Sequence, residues 1–217
     1  MNRGIILLSG GLDSLVSLGL TKESHNIQLA ITFDYGQKSA KDEIEASKNI
    51  CKYYKIEHKV IKLDWLESIT HTALVKDKEI PSKISKNSAQ MVWVPNRNGL
   101  FLNIAGAFAD GEDYSDIVIG ANKEEAENFP DNTKEFIDRI NSEFEYSTQK
   151  HPKVIAPLIN SDKNDIVKLA LENKIPLNYV RSCYLGGKKH CGKCESCIRL
   201  KNALIANNAE KYIKELF

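Results

Sequence analysis

The run Ile5-Ile6-Leu7-Leu8 leads directly into Ser9-Gly10-Gly11-Leu12-Asp13-Ser14 and then into helix-compatible sequence, and no other stretch constrains the chain as much. A short apolar run bounded by turn residues reads as a buried strand, and strands buried on both faces belong to parallel sheets. Strand, glycine-rich turn and helix N-terminus together aim backbone N–H groups and the positive end of a helix dipole at one point, where an anion can sit. Gly10 and Gly11 let the backbone approach phosphate oxygens, Ser9 and Ser14 add hydroxyl donors, and Asp13 is a carboxylate suited to holding Mg2+ beside them. Leu8 and Leu12, which flank the turn, complete the candidate set. No Gly-x-x-x-x-Gly-Lys-Ser/Thr occurs, so the loop lacks the lysine that a kinase-type phosphate loop carries. The plainer alternative is a tight strand-to-helix turn in which Ser or Asp merely caps the helix.

At 217 residues the chain is long enough for one sizeable α/β core with an appendage and short for two independent domains. Its 30 Lys+Arg nearly balance 29 Asp+Glu, and a net charge of +1 gives no bulk electrostatic case for a nucleic-acid partner. Lys188, Lys189, Lys193, Arg199 and Lys201 cluster near the C-terminus, where they offset thiolate charge or solvate the surface. No apolar run approaches the roughly 18 residues of a membrane span and no signal peptide opens the chain, so a cytoplasmic location without a membrane partner is expected.

Beyond the loop, apolar runs alternate with helical periodicity. Strands are expected at 27–33, 58–63, 116–120 and 153–157, and helices at 40–54, 99–109, 133–147 and 162–172, the last starting at a Ser161/Asp162 cap. Cys51 lies on the mostly apolar face of the first of these helices and reads as a small core residue. From Asp64 to Val94 the periodicity weakens and Lys76, Lys78, Lys83 and Lys86 gather around Pro81, which reads as a short helix followed by a lid or loop at about 65–98. The expected architecture is a doubly wound parallel five-stranded sheet over residues 1–175, with residues 176–217 packed on it. Ligands on such sheets bind at the carboxyl ends of the strands, where strand order reverses. The Ser9 loop, the Asp34–Gln37 turn and the turn at Gly120 would all lie there.

Four of the five cysteines fall in one short stretch, Cys183-x7-Cys191-x2-Cys194-x2-Cys197. This is metal spacing rather than a disulfide framework. Four thiols and no open position describe a structural Zn2+ site; an iron–sulfur cluster is the rival, and the spacing does not match the common ferredoxin runs. Gly186, Gly187 and Gly192 relax the backbone around the site, and His190 reads as a bystander or a donor to a ligand.

The Ser-Gly-Gly-x-Asp-Ser loop resembles the pyrophosphate loop of the ATP pyrophosphatases, which cleave ATP to AMP and pyrophosphate. Phe33-Asp34-Tyr35-Gly36-Gln37, Val94-Pro95-Asn96-Arg97-Asn98 and Phe129-Pro130-Asp131 follow, and the cysteine tail closes the chain. In this order the motifs resemble the 7-cyano-7-deazaguanine synthase family from Ser9 to Cys197. The resemblance implies an ATP-dependent carbon–nitrogen ligase that converts 7-carboxy-7-deazaguanine and ammonia to the nitrile through adenylated intermediates, releasing AMP and pyrophosphate, in queuosine biosynthesis. It also implies a homodimer.

Residues carried over by the same resemblance are Asp13, Ser14 and Lys163 for catalysis. Leu8 to Ser14, Phe33, Tyr35 and Gly120 would bind ATP with Mg2+, and Arg97, Asn98, Phe129 and Asp131 the deazaguanine carboxylate. Plainer readings stand beside these. Lys163 could be an ordinary exposed lysine, Arg97 could pin the lid through a salt bridge, and Asp131 could cap the helix that begins at Thr133. Asn96 stands where the family usually has glycine, a substitution that a left-handed backbone tolerates. Glu125 to Thr133 replaces the family's usual Asp-x-Ser-Gly-Tyr-Pro-Asp-Cys-Arg and so lacks a tyrosine hydroxyl and an arginine. That loss opens an alternative, a divergent ligase acting on another carboxylate, an amine or a tRNA base.

Overall fold

The computed structural model describes residues 3–75, 80 and 90–217. Five parallel strands form one sheet: β1 (Gly4–Leu7), β2 (Ile27–Asp34), β3 (Glu57–Lys62), β4 (Asp116–Val118) and β5 (Lys153–Ile155), in the order β3-β2-β1-β4-β5. The helices between them are α1 (Leu12–Thr21), α2 (Ala40–Tyr54), α3 (Asp64–Ile69), α4 (Arg97–Glu112), α5 (Lys123–Ala126), α6 (Lys134–Ser147) and α7 (Lys163–Glu172), and α8 (Glu195–Ala206) and α9 (Glu210–Leu216) close the chain.

Alternation along β1 divides the interior. Ile5 and Leu7 face one core with α4 and α6, where Leu102, Ala105, Ala109, Ile137 and Phe144 are buried. Ile6 and Leu8 face a second core with Leu15 and Val16 of α1, Ile50 and Cys51 of α2, Ile166 and Ala170 of α7, and Leu200 and Leu204 of α8. An apolar strand covered on both sides is what a parallel sheet requires. Burial pushes the Cys51 thiol up to about 12, which agrees with a core role and not a nucleophilic one.

β3 is an edge strand with half-exposed residues, and its charged side chains suit that position. α7 starts on Asp162, whose carboxylate accepts from the backbone of Asn164 and Asp165 while Asp165 reaches back, a complete capping box. α6 is capped by Thr133 Oγ1 accepting from Phe136 N, so Asp131 is not the cap of that helix. Between α3 and α4, Ala73, Leu74, Ile80, Val92 and Val94 are buried in the first core. The remaining lysine-rich stretch lies outside the described residues.

The chain winds β1-β2-β3 outward on one side and then returns to place β4 on the other, so strand order reverses between β1 and β4. The loop at Ser9 and the turn at Gly120 leave these two strands side by side, at the crevice where ligands of such sheets bind.

Phe144 is 1% exposed and packs on α4 from α6. Phe144→Ala is expected to lower the unfolding free energy by about 3–5 kcal/mol, read as a lower denaturant midpoint at unchanged slope.

Candidate active site at the β1/β4 switch

The Ser9–Gly11 loop is shaped by Gly10, whose φ of +76° places it in the left-handed region. α1 then begins after Gly11, in extended conformation and without a side-chain cap hydrogen bond. The plain helix-capping reading of the loop is therefore not realised. What the loop N–H groups have instead are long contacts to hydroxyls: Ser9 N to Ser14 Oγ at 3.3 Å, Gly11 N to Ser9 Oγ at 3.3 Å, and Leu12 N to Ser182 Oγ at 3.4 Å. Bonds this long are weak and readily exchanged for a charged acceptor. Gly120 at the end of β4 closes on this turn, where a Cβ would sit 2.9 Å from Ser14 N and 3.0 Å from the Asp13 carbonyl carbon, so only glycine allows the approach.

Lys163, the first residue of α7, reaches back into the crevice. Its ammonium lies 2.6 Å from Asp13 Oδ2 and 2.8 Å from Glu125 Oε1, with its side chain only 12% exposed, so it is no ordinary surface lysine. Burial works against the Lys163 charge, but Asp13 and Glu125 outweigh it and hold its pKa above the usual value. Burial pushes the Asp13 carboxyl up while Lys163 pulls it back. Burial also opposes the Glu125 charge, yet Lys163, with Arg97 beyond, keeps that carboxyl below its usual range. The other Asp13 oxygen, Oδ1, is buried without a hydrogen-bond partner among the described residues. A carboxylate oxygen left in that condition suits a cation ligand.

These groups open on a cavity of about 230 Å³ lined by Leu8, Ser9, Gly11, Leu12, Asp13, Ser14, Phe33, Tyr35, Arg97, Asn98, Gly120 and Lys163 among others. Phe33 stacks on Phe101 at 4.0 Å between ring centroids, with Tyr35 tilted against the same ring. A second cavity of about 80 Å³ adjoins it and is lined by Phe129, Asp131, Trp93, Asn128 and Arg199. Arg97, Glu125, Lys163, Tyr184 and Ser196 line both. Burial disfavours the Arg97 charge, but the Tyr35 hydroxyl and the Asp131 and Glu125 carboxylates more than restore it. Among the described residues these groups of the pocket are its electrostatic partners. Asn98 donates its Nδ2 to the Asp131 carbonyl at 3.2 Å and so holds the Pro130–Asn132 turn. Asn96, with φ at +49°, takes the left-handed conformation expected of it.

The sulfurs of Cys183, Cys191, Cys194 and Cys197 all lie within 4.8 Å of one another, a cluster positioned to hold a metal ion. Cys191 and Cys197 are 3.8 Å apart, matching the edge of about 3.8 Å that Zn–S bonds of about 2.3 Å impose on a tetrahedron. Cys194 N and Lys193 N donate to Cys191 Sγ from 3.3 and 3.4 Å. His190 is not a ligand: its Nε2 accepts from Ser182 N at 3.0 Å and its Nδ1 donates to the Leu216 carbonyl at 3.1 Å. Two of the five clustered cations of the tail are engaged. Arg199 is paired with Glu124 and Glu195, and Lys189 donates to the carbonyls of Lys214 and Glu215.

Tyr184, Ser196, Arg181 and Ser182 line the site but were not legible as functional residues, although all four lie within or beside the cysteine stretch. Their signal was adjacency to the metal ligands, which says where they are only once the tail is known to fold over the loop.

A crevice at the switch point of a five-stranded parallel sheet, with an uncapped glycine loop and a buried Asp–Lys pair, gives an α/β fold of the ATP pyrophosphatase type. The fold is shared with NH3-dependent NAD synthetase from Campylobacter jejuni (18% identity, 99% of this chain and 79% of that one, TM-score 0.50). It is also shared with the U34-tRNA thiolase NcsA of Methanococcus maripaludis, solved with its [4Fe-4S] cluster (20% identity, 97% and 66%, TM-score 0.52). Residues 3–208 match the family described as queuosine biosynthesis protein QueC. A relative from Methanosarcina mazei named 7-cyano-7-deazaguanine synthase is 50% identical over 214 residues, 93% of each chain. The chain belongs to this family of synthases.

Removing the central cation tests the electrostatics. Lys163→Met leaves two carboxylates facing one another, and is expected to destabilise the fold by about 3–5 kcal/mol near neutral pH. In the wild type, the contribution of Glu125 is present above the ordinary carboxyl pKa and lost as pH falls. In the variant the carboxyls are raised, so its deficit should shrink as pH is lowered; a deficit constant with pH in denaturant melts contradicts the arrangement.

Proposed function

We propose that this protein converts 7-carboxy-7-deazaguanine, ammonia and ATP to 7-cyano-7-deazaguanine, with AMP and pyrophosphate as the other products. The observation that carries the reading is the pairing of the uncapped loop and the Asp13–Lys163 pair with an adjoining cavity lined by Phe129 and Asp131. The divergent-ligase alternative is not favoured, because a relative carrying the synthase name matches half of the residues across nearly the whole chain.

In this reading Ser9, Gly10, Gly11 and Ser14 receive the pyrophosphate, Phe33 and Tyr35 pack by the nucleotide, and Asp13 would hold Mg2+, which screens phosphate charge when bound. The substrate carboxylate attacks the α-phosphorus and pyrophosphate departs, leaving an acyl adenylate. Ammonia displaces AMP to give the amide. The amide oxygen then attacks a second ATP, and loss of the nitrogen protons with cleavage of the C–O bond releases AMP and the nitrile. Lys163 and Arg97, which line both cavities, would meet the charge that develops at the α-phosphate. Asp131, on the smaller cavity, would accept from the donors of the guanine-like edge, and Asn98 fixes its backbone. Beside the 125–133 loop, which lacks the family's usual tyrosine hydroxyl and arginine, Tyr184 and Arg199 line the smaller cavity.

We assign Zn2+ to the four cysteines. One ion suits sulfurs this close together, whereas a cubane cluster places metal and sulfide between its thiolates and spreads them wider.

Supplied with the acid, the enzyme should yield AMP and nitrile in a ratio of two to one, falling to one when the amide is supplied instead. A ratio of one from the acid would overturn the two-adenylation scheme. Elemental analysis should find one zinc per chain, and Cys194→Ser should lower the melting temperature by roughly 10 °C. Iron in place of zinc, or no metal in fully active protein, contradicts that assignment.

A further inference from the structure

Three cations line the larger cavity, and carboxylates already answer two of them. Lys163 is bound by Asp13 and Glu125, and Arg97 faces Asp131 and Glu125. Arg181 is the third, and it forms no ion pair among the described residues. Its Nη2 donates to the Lys189 carbonyl at 3.2 Å, while its Nε is buried with no hydrogen-bond partner. A buried N–H of a charged group without an acceptor is costly, and an anion brought within its reach would remove that cost.

The backbone around Arg181 is tied to the glycine loop. Arg181 N donates to the Gly10 carbonyl at 2.7 Å, and the next residue offers Ser182 Oγ to Leu12 N at 3.4 Å. The strap from Val180 to Cys183 therefore lies across the mouth of the loop. It is fixed on one side by the loop itself and on the other by the first of the four cysteines.

We propose that Arg181 binds the pyrophosphate half of ATP, supplying from the C-terminal strap the cation that the loop lacks. The inference rests on reading the cavity as an ATP site. Lys163 alone fits this task poorly, since charge given to a phosphate must be withdrawn from Asp13 and Glu125. The guanidinium of Arg181 has no such commitment, and its planar fork matches two phosphate oxygens at once. The long Leu12 N contact lets an incoming oxygen take that N–H while Ser182 Oγ turns to donate. Because Cys183 follows two residues later, order at the metal cluster and pyrophosphate affinity are linked through one short segment.

The test is calorimetric titration of inorganic pyrophosphate with Mg2+ into the metal-replete full chain, comparing wild type with Arg181→Met and Arg181→Lys. AMP is titrated in parallel and metal content is measured for each protein. Arg181→Met should weaken pyrophosphate binding by about tenfold or more, with AMP binding and metal content unchanged, and Arg181→Lys should fall between. Unchanged pyrophosphate affinity in Arg181→Met overturns the proposal, as does equal loss for AMP and pyrophosphate, which marks a merely structural arginine. Failure of the wild type to bind pyrophosphate at all overturns the ATP-site reading itself and this inference with it.

Discussion

The site is organised around one ammonium group. Lys163 sits between Asp13 on the glycine loop and Glu125 after β4, and it makes short contacts to both while largely withdrawn from water. Two carboxylates from different segments cannot share so confined a space without a cation between them. The pair therefore sets the distance between the ends of β1 and β4, and with it the width of the crevice. Gly120 permits the approach, and the capping box of α7 fixes the helix from which Lys163 reaches. Fold and site meet at these few residues.

The cysteine tail belongs to the same construction. Its helix α8 buries Leu200 and Leu204 in the core that holds α1 and α7, while Ser196 and Tyr184 line the cavities. Arg199 joins Glu195, between two of the cysteines, to Glu124, whose other oxygen accepts from the Lys163 backbone at 3.2 Å. A chain of partly buried charge thus runs from the metal ligands to the glycine loop. Such networks are sensitive to the loss of any one member, because each removal strands a buried charge.

Much of this was legible in the sequence because local signals and tertiary roles coincide. The β1 run, the glycine turn, the Ser161/Asp162 start of α7 and the cysteine spacing each have a short-range physical cause, and each appears where expected. Asp131 was ambiguous because a carboxylate before a helix reads equally as cap or ligand, and the Thr133 hydroxyl bonded to Phe136 N rules out only the cap. Glu125 looked like a departure from a family pattern, whereas its partner lies 38 residues further on and no local periodicity could announce it. The segment between α3 and α4 hides its buried Ala73, Leu74 and Val94 within a lysine-rich composition. Arg181 and Ser182 gain meaning only from a fold that brings the chain's end back to its beginning.

In the proposed reaction the chemistry asked of this scaffold is chiefly positioning: two oxygens of one carboxylate would each meet an α-phosphorus in turn, and each would leave on AMP. That claim is open to direct measurement by following oxygen. With 7-carboxy-7-deazaguanine labelled by 18O in both carboxylate positions, mass spectrometry of the products should find one 18O in every AMP and none in pyrophosphate. Unlabelled AMP, with the label in water or retained on the substrate, would contradict adenylation of the carboxylate and the account built on it.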